Sequence, residues 1–189
     1  MRKALVFSIL TISLFGTATF AQQGTTFTGT AVIYGSGFNT RTTTRGFTLV
    51  VNAKTSSTDA ARFLSALESG GQDGLLRAMD GQDLGRFSMT GNVGEALTGV
   101  LIDQVEDGTR IRAVFRRWIG FGEIRGGYRS ADYPFGYVEI VINPRTGKGD
   151  GTIIPAAKIR FKSGTVEIED FGTFPGRLMG VQMRGMKLP

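Results

Sequence analysis

The chain has 189 residues, of which 22 are basic and 16 acidic, giving a formal net charge of +6 at pH 7. It contains no Cys and no His. Disulfides, thiolate nucleophiles, zinc–thiolate centres, Ser-His-Asp triads and histidine-ligated metals are therefore excluded. Catalysis would have to use carboxylates, Lys, Tyr or a hydroxyl group, and no such constellation is recognisable. We therefore predict a protein that is not an enzyme and that needs neither a metal nor a cofactor.

The first 21 residues have the layout of a secretory signal peptide. Arg2 and Lys3 form a positive start, residues 4–15 form a short apolar run, and residues 19–21 offer small side chains for cleavage. The run is too short to span the roughly 30 Å of a bilayer core, which argues against a membrane anchor. We expect cleavage after Ala21 and a secreted or periplasmic bacterial protein, with residues 22–189 forming a single globular domain. No later run is long and apolar enough for a membrane helix, so an integral membrane protein is not expected.

The remaining sequence favours antiparallel sheet. Glycine accounts for 28 of the 189 residues, about twice the ordinary share of roughly 7%. The glycines are scattered between short apolar runs, as tight turns between strands require. This pattern predicts an α+β fold, predominantly antiparallel β, arranged as a sandwich or partly open barrel of about nine strands. Seven strands follow from apolar runs alone, at 27–34, 46–53, 86–90, 119–124, 137–142, 151–157 and 178–183.

One segment has helical periodicity. Apolar side chains at the i, i+3, i+4 and i+7 positions are Ala60, Phe63, Leu64 and Leu67. Ser57 is a suitable N-cap and Gly70 a suitable terminus for a helix over residues 57–70. A second, short helix is predicted over residues 73–79. The two would form a helical hairpin within residues 57–79, packed against the sheet.

Two β-hairpins can be assigned in register. Asp107 and Gly108 form a two-residue turn signal, which would place Asp103 opposite Arg112 and Val100 opposite Phe115.

The second hairpin has Ser163 and Gly164 as its loop. Ile159 then faces Ile168, while Arg160 faces Glu167 and Lys158 faces Glu169. The apparent basic stripe at 158–162 is therefore predicted to be a solvated face of cross-strand ion pairs.

The strongest candidate binding surface combines arginines with aromatic residues. Guanidinium groups bind carboxylates, sulfates and phosphates in planar geometry, and Trp and Tyr rings stack on sugars. We call this surface the arginine face, and its candidate ligand-binding residues are Arg110, Arg112, Arg116, Trp118, Tyr128, Arg129 and Tyr133. The competing interpretation is structural: Asp103 pairs with Arg112, and the aromatic residues belong to the core.

These observations predict a non-catalytic binding or interaction domain of the bacterial envelope. The candidate partners are an anionic glycan, an anionic lipid headgroup and an envelope protein. A nucleic-acid partner is disfavoured because of the signal peptide and the mild charge expected after its removal. Two alternatives stay open: a structural envelope protein without a small ligand, and a hydrolase that uses a pair of carboxylates.

Several stretches resemble a family of small exported bacterial proteins of unknown function. They are AARFL at 60–64, GQDGLL at 71–76, DYPF at 132–135, GDGT at 149–152, AKI at 157–159 and EIEDFG at 167–172. The resemblance covers most of the chain after residue 21. It implies a single exported domain and transfers no activity and no functional residues.

The signal-peptide assignment predicts the mass of the mature protein. Expression of the whole chain in a Gram-negative host should yield, from the periplasmic fraction, a protein that lacks residues 1–21 and starts at Gln22. Ala21→Leu should block this processing, because the cleavage site requires a small side chain. Recovery of the unprocessed chain from the cytoplasm, with an unchanged mass on intact mass spectrometry, would contradict the assignment.

Overall fold

The structure is a computed structural model, and it describes residues 24–34, 41–117, 129–172 and 174–185. Within these ranges it contains nine strands, one long helix and one short 3₁₀ helix. In chain order they are β1 (Thr25–Ile33), β2 (Thr43–Val51), α1 (Ser57–Ala78), β3 (Gly85–Met89), β4 (Glu95–Val105), β5 (Gly108–Arg116), the 3₁₀ helix (Arg129–Asp132), β6 (Phe135–Asn143), β7 (Lys148–Lys162), β8 (Thr165–Asp170) and β9 (Gly176–Arg184). The strand predicted at 119–124 lies outside the described residues.

Eight of the strands close into a barrel. Antiparallel neighbours follow the order β6-β5-β4-β3-β2-β1-β9-β7, and β7 pairs back with β6. The predicted antiparallel β-rich fold is therefore confirmed, whereas the sandwich is wrong and the barrel is closed rather than partly open. Closure satisfies the backbone groups that an open sheet would leave at its edges.

The long strand β7 has two roles. Its first ten residues, 148–157, pair with β6, and part of this stretch also pairs with β9. Its last five residues, 158–162, continue beyond the ring and pair with β8, and Ala157 pairs with both β6 and β8. The sequence predicted two separate strands here, one at 151–157 and one as the first strand of the hairpin with the Ser163–Gly164 loop. In the structure both belong to β7. The ninth strand, β8, lies outside the barrel as an extension of its wall.

The barrel interior is a packed apolar core. Its largest fully buried side chains include Phe27, Leu49, Leu97, Ile111, Ile140 and Leu178. The rings of Phe47, Phe87 and Phe115 stack in series, with centroids 6.1 Å and 5.3 Å apart. An eight-stranded barrel is just wide enough to be filled by side chains in this way. The strand alternation therefore sends apolar residues inward and leaves polar residues on the outer surface.

The helix α1 is a single element with a sharp bend. Ser56, rather than Ser57, caps its start by accepting a hydrogen bond of 3.0 Å from the backbone N–H of Asp59. Gly71 has φ 58° and ψ −156°, a conformation in the region that favours glycine. The bend brings Gly74 against the carbonyl of Ala66, where a Cβ would lie 2.4 Å from the oxygen. The predicted hairpin of two helices is not supported, because one residue is non-helical where a connecting loop was expected.

A second apolar cluster joins α1 to the outer surface of the barrel. From α1 and the turn after it come Phe63, Leu67, Leu75 and Met79. From the strands come Phe135, Tyr137, Ile154, Ala157 and Ile159. The helix therefore covers the outside of β6 and β7 and reaches the strand extension that carries β8.

The two predicted hairpin registers have different outcomes. The β7–β8 register is confirmed, since Ile159 pairs with Ile168, Arg160 with Glu167 and Lys158 with Glu169.

The β4–β5 register is wrong by two residues. Asp103 pairs with Arg110 and Val105 with Gly108, so that the loop is Glu106 and Asp107. Glycine is required at position 108 because β6 passes close to its backbone. At its φ of 148°, a Cβ would lie 2.2 Å from the carbonyl oxygen of Ile142 in β6. A shift of two residues keeps every side chain on its predicted face.

The ladder between β3 and β4 is the shortest in the ring. It consists of the pairs Arg86 with Ala96 and Phe87 with Glu95. The other ladders of the barrel are longer, as in β5–β6, which runs from Thr109 to Arg116 along β5.

The packing of Phe115 on Gly136 yields a test of the barrel core. A Cβ at Gly136 would lie 2.1 Å from two carbons of the Phe115 ring, so Gly136→Ala should lower the free energy of unfolding by about 1–3 kcal/mol. Combination with Phe115→Leu should cost less than the sum of the two single changes, because the ring that clashes is gone. Gly70→Ala is the matched control: its Cβ meets no atom closer than 3.7 Å, and alanine favours helix by up to about 1 kcal/mol. Urea denaturation of the four variants measures each value, and a neutral Gly136→Ala would contradict the packing.

Candidate functional site

The structure separates the members of the predicted arginine face. Arg110, Arg112 and Arg116 lie on the outer side of β5, because Ile111, Ala113 and Phe115 alternate with them and are buried inside the barrel. Trp118 and Tyr128 lie outside the described residues, and only the backbone of Arg129 is described. Tyr133 is buried in a different cluster, next to β8. The structure thus brings Arg110 and Arg112 together and places Tyr133 elsewhere.

Arg110 and Arg112 share one carboxylate. Arg110 donates from Nε and Nη2 to Oδ2 of Asp103, at 3.0 Å and 2.6 Å. Arg112 donates from Nη2 to Oδ1 at 2.9 Å. The hydrogen bonds from Arg110 and then from Arg112 hold the pKa of Asp103 below its ordinary value, although partial burial opposes the shift. The sequence predicted a contact between Asp103 and Arg112, and their side chains do form it. The two residues are nevertheless not opposite each other in the β4–β5 ladder.

A second carboxylate lies beside the same arginines. Glu139 is the strand partner of Arg112 on β6, and the hydroxyl of Tyr137 donates to its Oε2 at 2.7 Å. Burial raises the pKa of Tyr137, so that its hydroxyl stays protonated at neutral pH and remains a donor. Two arginines and two carboxylates give this part of β5 and its neighbours no formal net charge. The alternation seen in the sequence therefore does not produce an uncompensated cationic surface here.

Arg116 belongs to a different place on the surface. It is exposed and lines a cavity of about 240 Å³ together with Asp73, Leu76, Arg77 and Asp80. These residues include two cationic and two anionic side chains, so this cavity also lacks a formal net charge. It lies at the C-terminal end of α1, where the helix approaches the end of β5.

An apolar cavity lies between α1 and the outside of the barrel. It has a volume of about 330 Å³, and we call it the α1 cleft. Its helix wall consists of Ala60, Phe63, Leu64, Leu67 and Leu75. Its opposite wall includes Gly99, Leu101, Val114, Tyr137, Ile159 and Val166. The α1 cleft is therefore an apolar groove whose far side is built from β4 to β8.

The rim of the α1 cleft exposes three large apolar side chains. Leu64, Leu101 and Val166 have 40%, 46% and 47% of their surface accessible. Single exposed apolar residues are normal on protein surfaces, and here three of them lie around one cavity. They come from α1, β4 and β8, which are distant in sequence, and so the convergence is a product of the fold.

Arg112 is the charged side chain in the lining of the α1 cleft. Of the described residues that line the cleft, it alone carries a charge. Its Nε is buried and has no hydrogen-bond partner in the described structure. Thr55, which also lines the cleft, uses its hydroxyl oxygen to accept from the backbone N–H of Val100 at 2.8 Å. The polar side chains that line this groove are thus Thr55, Arg112 and Tyr137.

Sequence reasoning identified Arg112 but missed the cleft around it. Leu64 has the spacing of a core-facing helix position, and Val166 has that of an inward-facing strand position. Both are on the predicted faces, yet α1 does not cover the strand extension completely. The signal in the sequence that could have indicated this groove is the apolar face of the β7–β8 hairpin, which includes Ile159, Val166 and Ile168.

The cluster around Tyr133 is a second polar site. The Tyr133 hydroxyl donates to Oε1 of Glu169, its ring meets Phe171 edge to face at 5.2 Å, and Lys158 Nζ lies 5.8 Å from the ring centroid. Asp170, the next residue along β8, accepts from the backbone N–H of Gly172 at 2.7 Å through Oδ1, while its buried Oδ2 has no partner in the described structure. Burial raises the pKa of Asp170 despite that hydrogen bond.

Among the described residues, no group of three or more Asp and Glu side chains is arranged to hold a metal ion. Nor does any described helix combine the length and the apolar character that crossing a membrane requires. Comparison with known proteins finds no matching family model, no similar curated sequence and no similar solved structure. The resemblance to small exported proteins therefore stays an expectation from the sequence, and function has to be argued from the geometry.

The raised pKa of Asp170 predicts a pH-dependent stabilisation by Asp170→Asn. The folded protein binds a proton at Asp170 more tightly than the unfolded chain, whose carboxyl has its ordinary pKa of 3.8. The ionised carboxylate therefore destabilises the folded state at neutral pH, and this cost disappears as the pH falls through the raised value towards 3.8. Asp170→Asn, which keeps an oxygen for the Gly172 N–H, should be more stable than the native chain at pH 7, and the difference should shrink at pH 4.

Urea denaturation at both pH values measures this difference. Asp83→Asn provides the same chemical change at an exposed position and should show no comparable gain. A destabilised Asp170→Asn at pH 7 would show that the charged carboxylate is satisfied in solution.

Proposed function

We propose that this protein is a non-catalytic binding domain of the bacterial envelope, and that it holds an apolar small molecule in the α1 cleft. The envelope location rests on the signal-peptide pattern of residues 1–21. The binding function rests on one observation: three exposed apolar side chains surround a single apolar cavity on the outside of a barrel whose interior is already filled.

The size and lining of the α1 cleft suit a small molecule. Ligand pockets are typically apolar concavities of about 300–1,000 Å³ with a few polar groups that orient the ligand. At 330 Å³ the α1 cleft is at the lower end of this range. Each methylene group that leaves water for such a surface contributes about 0.8 kcal/mol. Burial of an aliphatic or aromatic ligand in this groove therefore supplies a favourable term that offsets part of the cost of association.

The geometry narrows the ligand classes expected from the sequence. A glycan would stack on exposed aromatic rings, and the aromatic side chains among the described residues that line the α1 cleft, Phe63 and Tyr137, are buried. The lining of the α1 cleft favours a lipid-like ligand over a sugar. The structural alternative, an envelope protein without a small ligand, predicts that the cleft has no specific occupant.

Filling part of the α1 cleft should weaken binding. Gly99 lies in the barrel wall of the cleft, and a Cβ there would meet Met79 Cε at 3.2 Å, a flexible methyl group that can move. Gly99→Leu should therefore fold and should occupy part of the groove. We expect it to weaken binding of an uncharged fluorescent probe, N-phenyl-1-naphthylamine, by at least about tenfold, because two or more methylene contacts are lost.

A rim substitution and a matched control complete this experiment. Leu64→Gln removes one exposed apolar side chain from the rim and should weaken binding of the probe. Val93→Ser removes an exposed apolar side chain that does not line the cleft and should leave binding of the probe unchanged. Thermal melts confirm that each variant is folded. Absence of saturable binding by the native protein, or equal binding by native and Gly99→Leu proteins, would refute the proposed function.

A further inference from the structure

We propose that the protein binds the surface of an anionic phospholipid bilayer through the outer side of β3, β2, β1 and β9, which we call the acid-free wall. These four strands are neighbours in the ring, and they carry no Asp or Glu. The inference does not depend on the α1 cleft, because it concerns another part of the barrel and another kind of ligand. Its grounds are the distribution of charge, the exposed apolar side chains at one end of the wall and the convex shape of the wall.

The strands of the acid-free wall carry an excess of positive charge equal to that of the whole chain after the predicted signal peptide. Without Arg2 and Lys3 the chain has 20 basic and 16 acidic residues, an excess of four. The basic residues on the four strands are Arg45, Arg86, Arg177 and Arg184. The rest of residues 22–189 therefore holds equal numbers of basic and acidic residues. Such a one-sided distribution attracts an extended polyanion, because the potentials of neighbouring like charges add.

The strand registers place three of these arginines on the outer surface of the barrel. Arg184 pairs with Thr26 of β1, and on the other side of β1 Thr26 pairs with Val50 of β2. Val50 pairs in turn with Arg86 of β3, so this row has an exposed arginine at each end. Three strand spacings of about 4.8 Å separate the two. Arg177 is exposed near the start of β9, and neither it nor Arg184 forms an ion pair in the described part of the chain.

Between the arginines the acid-free wall presents hydroxyl groups. Strand alternation turns them outward, because the residues beside them, such as Phe27, Leu49 and Phe87, are buried in the barrel. They belong to Thr26, Thr28, Thr30, Thr44, Thr48 and Ser88. Hydroxyl groups donate to phosphate oxygens as well as to water. The bordering strand β7 adds one side chain of each charge, Lys148 and Asp150, and so leaves the excess on the wall unchanged.

One end of the wall exposes large apolar side chains beside Arg177. Phe174, two residues before β9, has 68% of its surface accessible, and Met179 has 48%. Tyr34 directly follows β1 and is 39% exposed. The pairing of Val32 with Arg177 brings the end of β1 next to the start of β9. Aromatic rings beside a cation suit the interface of an anionic bilayer, where the rings lie at the headgroup level and the cation meets phosphate.

The shape of the acid-free wall favours a planar partner over a small anion or a single sugar chain. Small-molecule sites are concave, whereas the outer surface of a barrel is convex. The two cavities described above are lined by α1, its flanking residues and strands from β4 to β8, away from this wall. A bilayer surface is extended, carries many phosphates and accepts apolar side chains. It therefore matches the spread of the arginines and the exposed rings together.

Sedimentation with vesicles tests the charge requirement. The purified protein is mixed with vesicles of phosphatidylcholine alone, or of equal parts phosphatidylcholine and phosphatidylglycerol. We expect it to sediment with the anionic vesicles and to stay in solution with the neutral ones. Raising the salt from about 0.1 M to about 1 M should release it, because the range of the charges falls from roughly 10 Å to 3 Å. Equal sedimentation with both kinds of vesicle would overturn the inference.

Four variants assign the binding to the acid-free wall. Arg177→Gln and Arg184→Gln should each lower the partition coefficient about fivefold, the contribution of one cation near an anionic surface. Phe174→Ser should lower it about tenfold, because its ring no longer leaves water. Arg116→Gln removes the same charge at an exposed position of β5, outside the wall, and should change the coefficient less than about twofold. Circular dichroism and thermal melts verify the fold of each variant.

The control variant separates binding by the wall from binding by net charge. A loss in Arg116→Gln as large as in Arg177→Gln and Arg184→Gln would show that only the net charge matters, and would overturn the assignment to the acid-free wall.

Retention on heparin–agarose compares the bilayer with a soluble polyanion. Phe174→Ser should elute from this resin at the same salt concentration as the native protein, since its charge is unchanged. If Phe174→Ser also binds the anionic vesicles as tightly as the native protein, the partner is a polyanion without an apolar layer, and the bilayer is overturned.

The outcomes also separate this inference from the proposed function. Absence of sedimentation with anionic vesicles would refute binding to a bilayer and leave the probe-binding result for the α1 cleft intact. Gly99→Leu, which fills part of that cleft, should sediment with anionic vesicles as the native protein does.

Discussion

The pairing of β7 with β6 is the constraint on which the rest of the structure depends. Through it the first ten residues of β7 close the eight-stranded ring, and the remaining residues of the same strand continue outward to carry β8. The barrel interior can therefore be sealed and filled, while the extension creates a second apolar surface outside. The helix α1 covers that surface only in part. Both the core and the α1 cleft thus follow from one strand that is longer than the barrel needs.

The distribution of polar groups around the α1 cleft follows from strand alternation. Because Ile111, Ala113 and Phe115 face inward, Arg110 and Arg112 must face outward, next to Asp103 on β4 and Glu139 on β6. Four charges on three neighbouring strands compensate one another. Arg110 takes the larger share of Asp103, and Tyr137 supplies a hydrogen bond to Glu139. Arg112 is the member of this group that also lines the α1 cleft.

Local chemistry explains which parts of this fold could be predicted from the sequence. The β7–β8 register was predictable because apolar and oppositely charged residues alternate in phase on both strands. The β4–β5 register was not, because Gly108 is needed for the approach of Ile142, a contact that no local turn rule contains. Whether the strands form a sandwich or a closed barrel depends on the β6–β7 pairing. Of the candidate site, the sequence predicted the outward-facing positions of Arg110 and Arg112. It did not predict that Asp103 and Glu139 together neutralise their charges, nor that a groove lies beneath α1, because both depend on residues that are neighbours only in three dimensions.

The short ladder between β3 and β4 gives the barrel a seam. Strands separate most readily where the fewest backbone hydrogen bonds must break, so this seam is the natural place for local opening of the ring. The residues of β4 that follow the seam, Gly99 and Leu101, form part of the wall of the α1 cleft. Beyond the seam, β4 is held to the segment before α1, because the backbone N–H of Thr55 donates to the carbonyl of Val100 at 2.8 Å. The seam is therefore the part of the ring that should open first, without global unfolding.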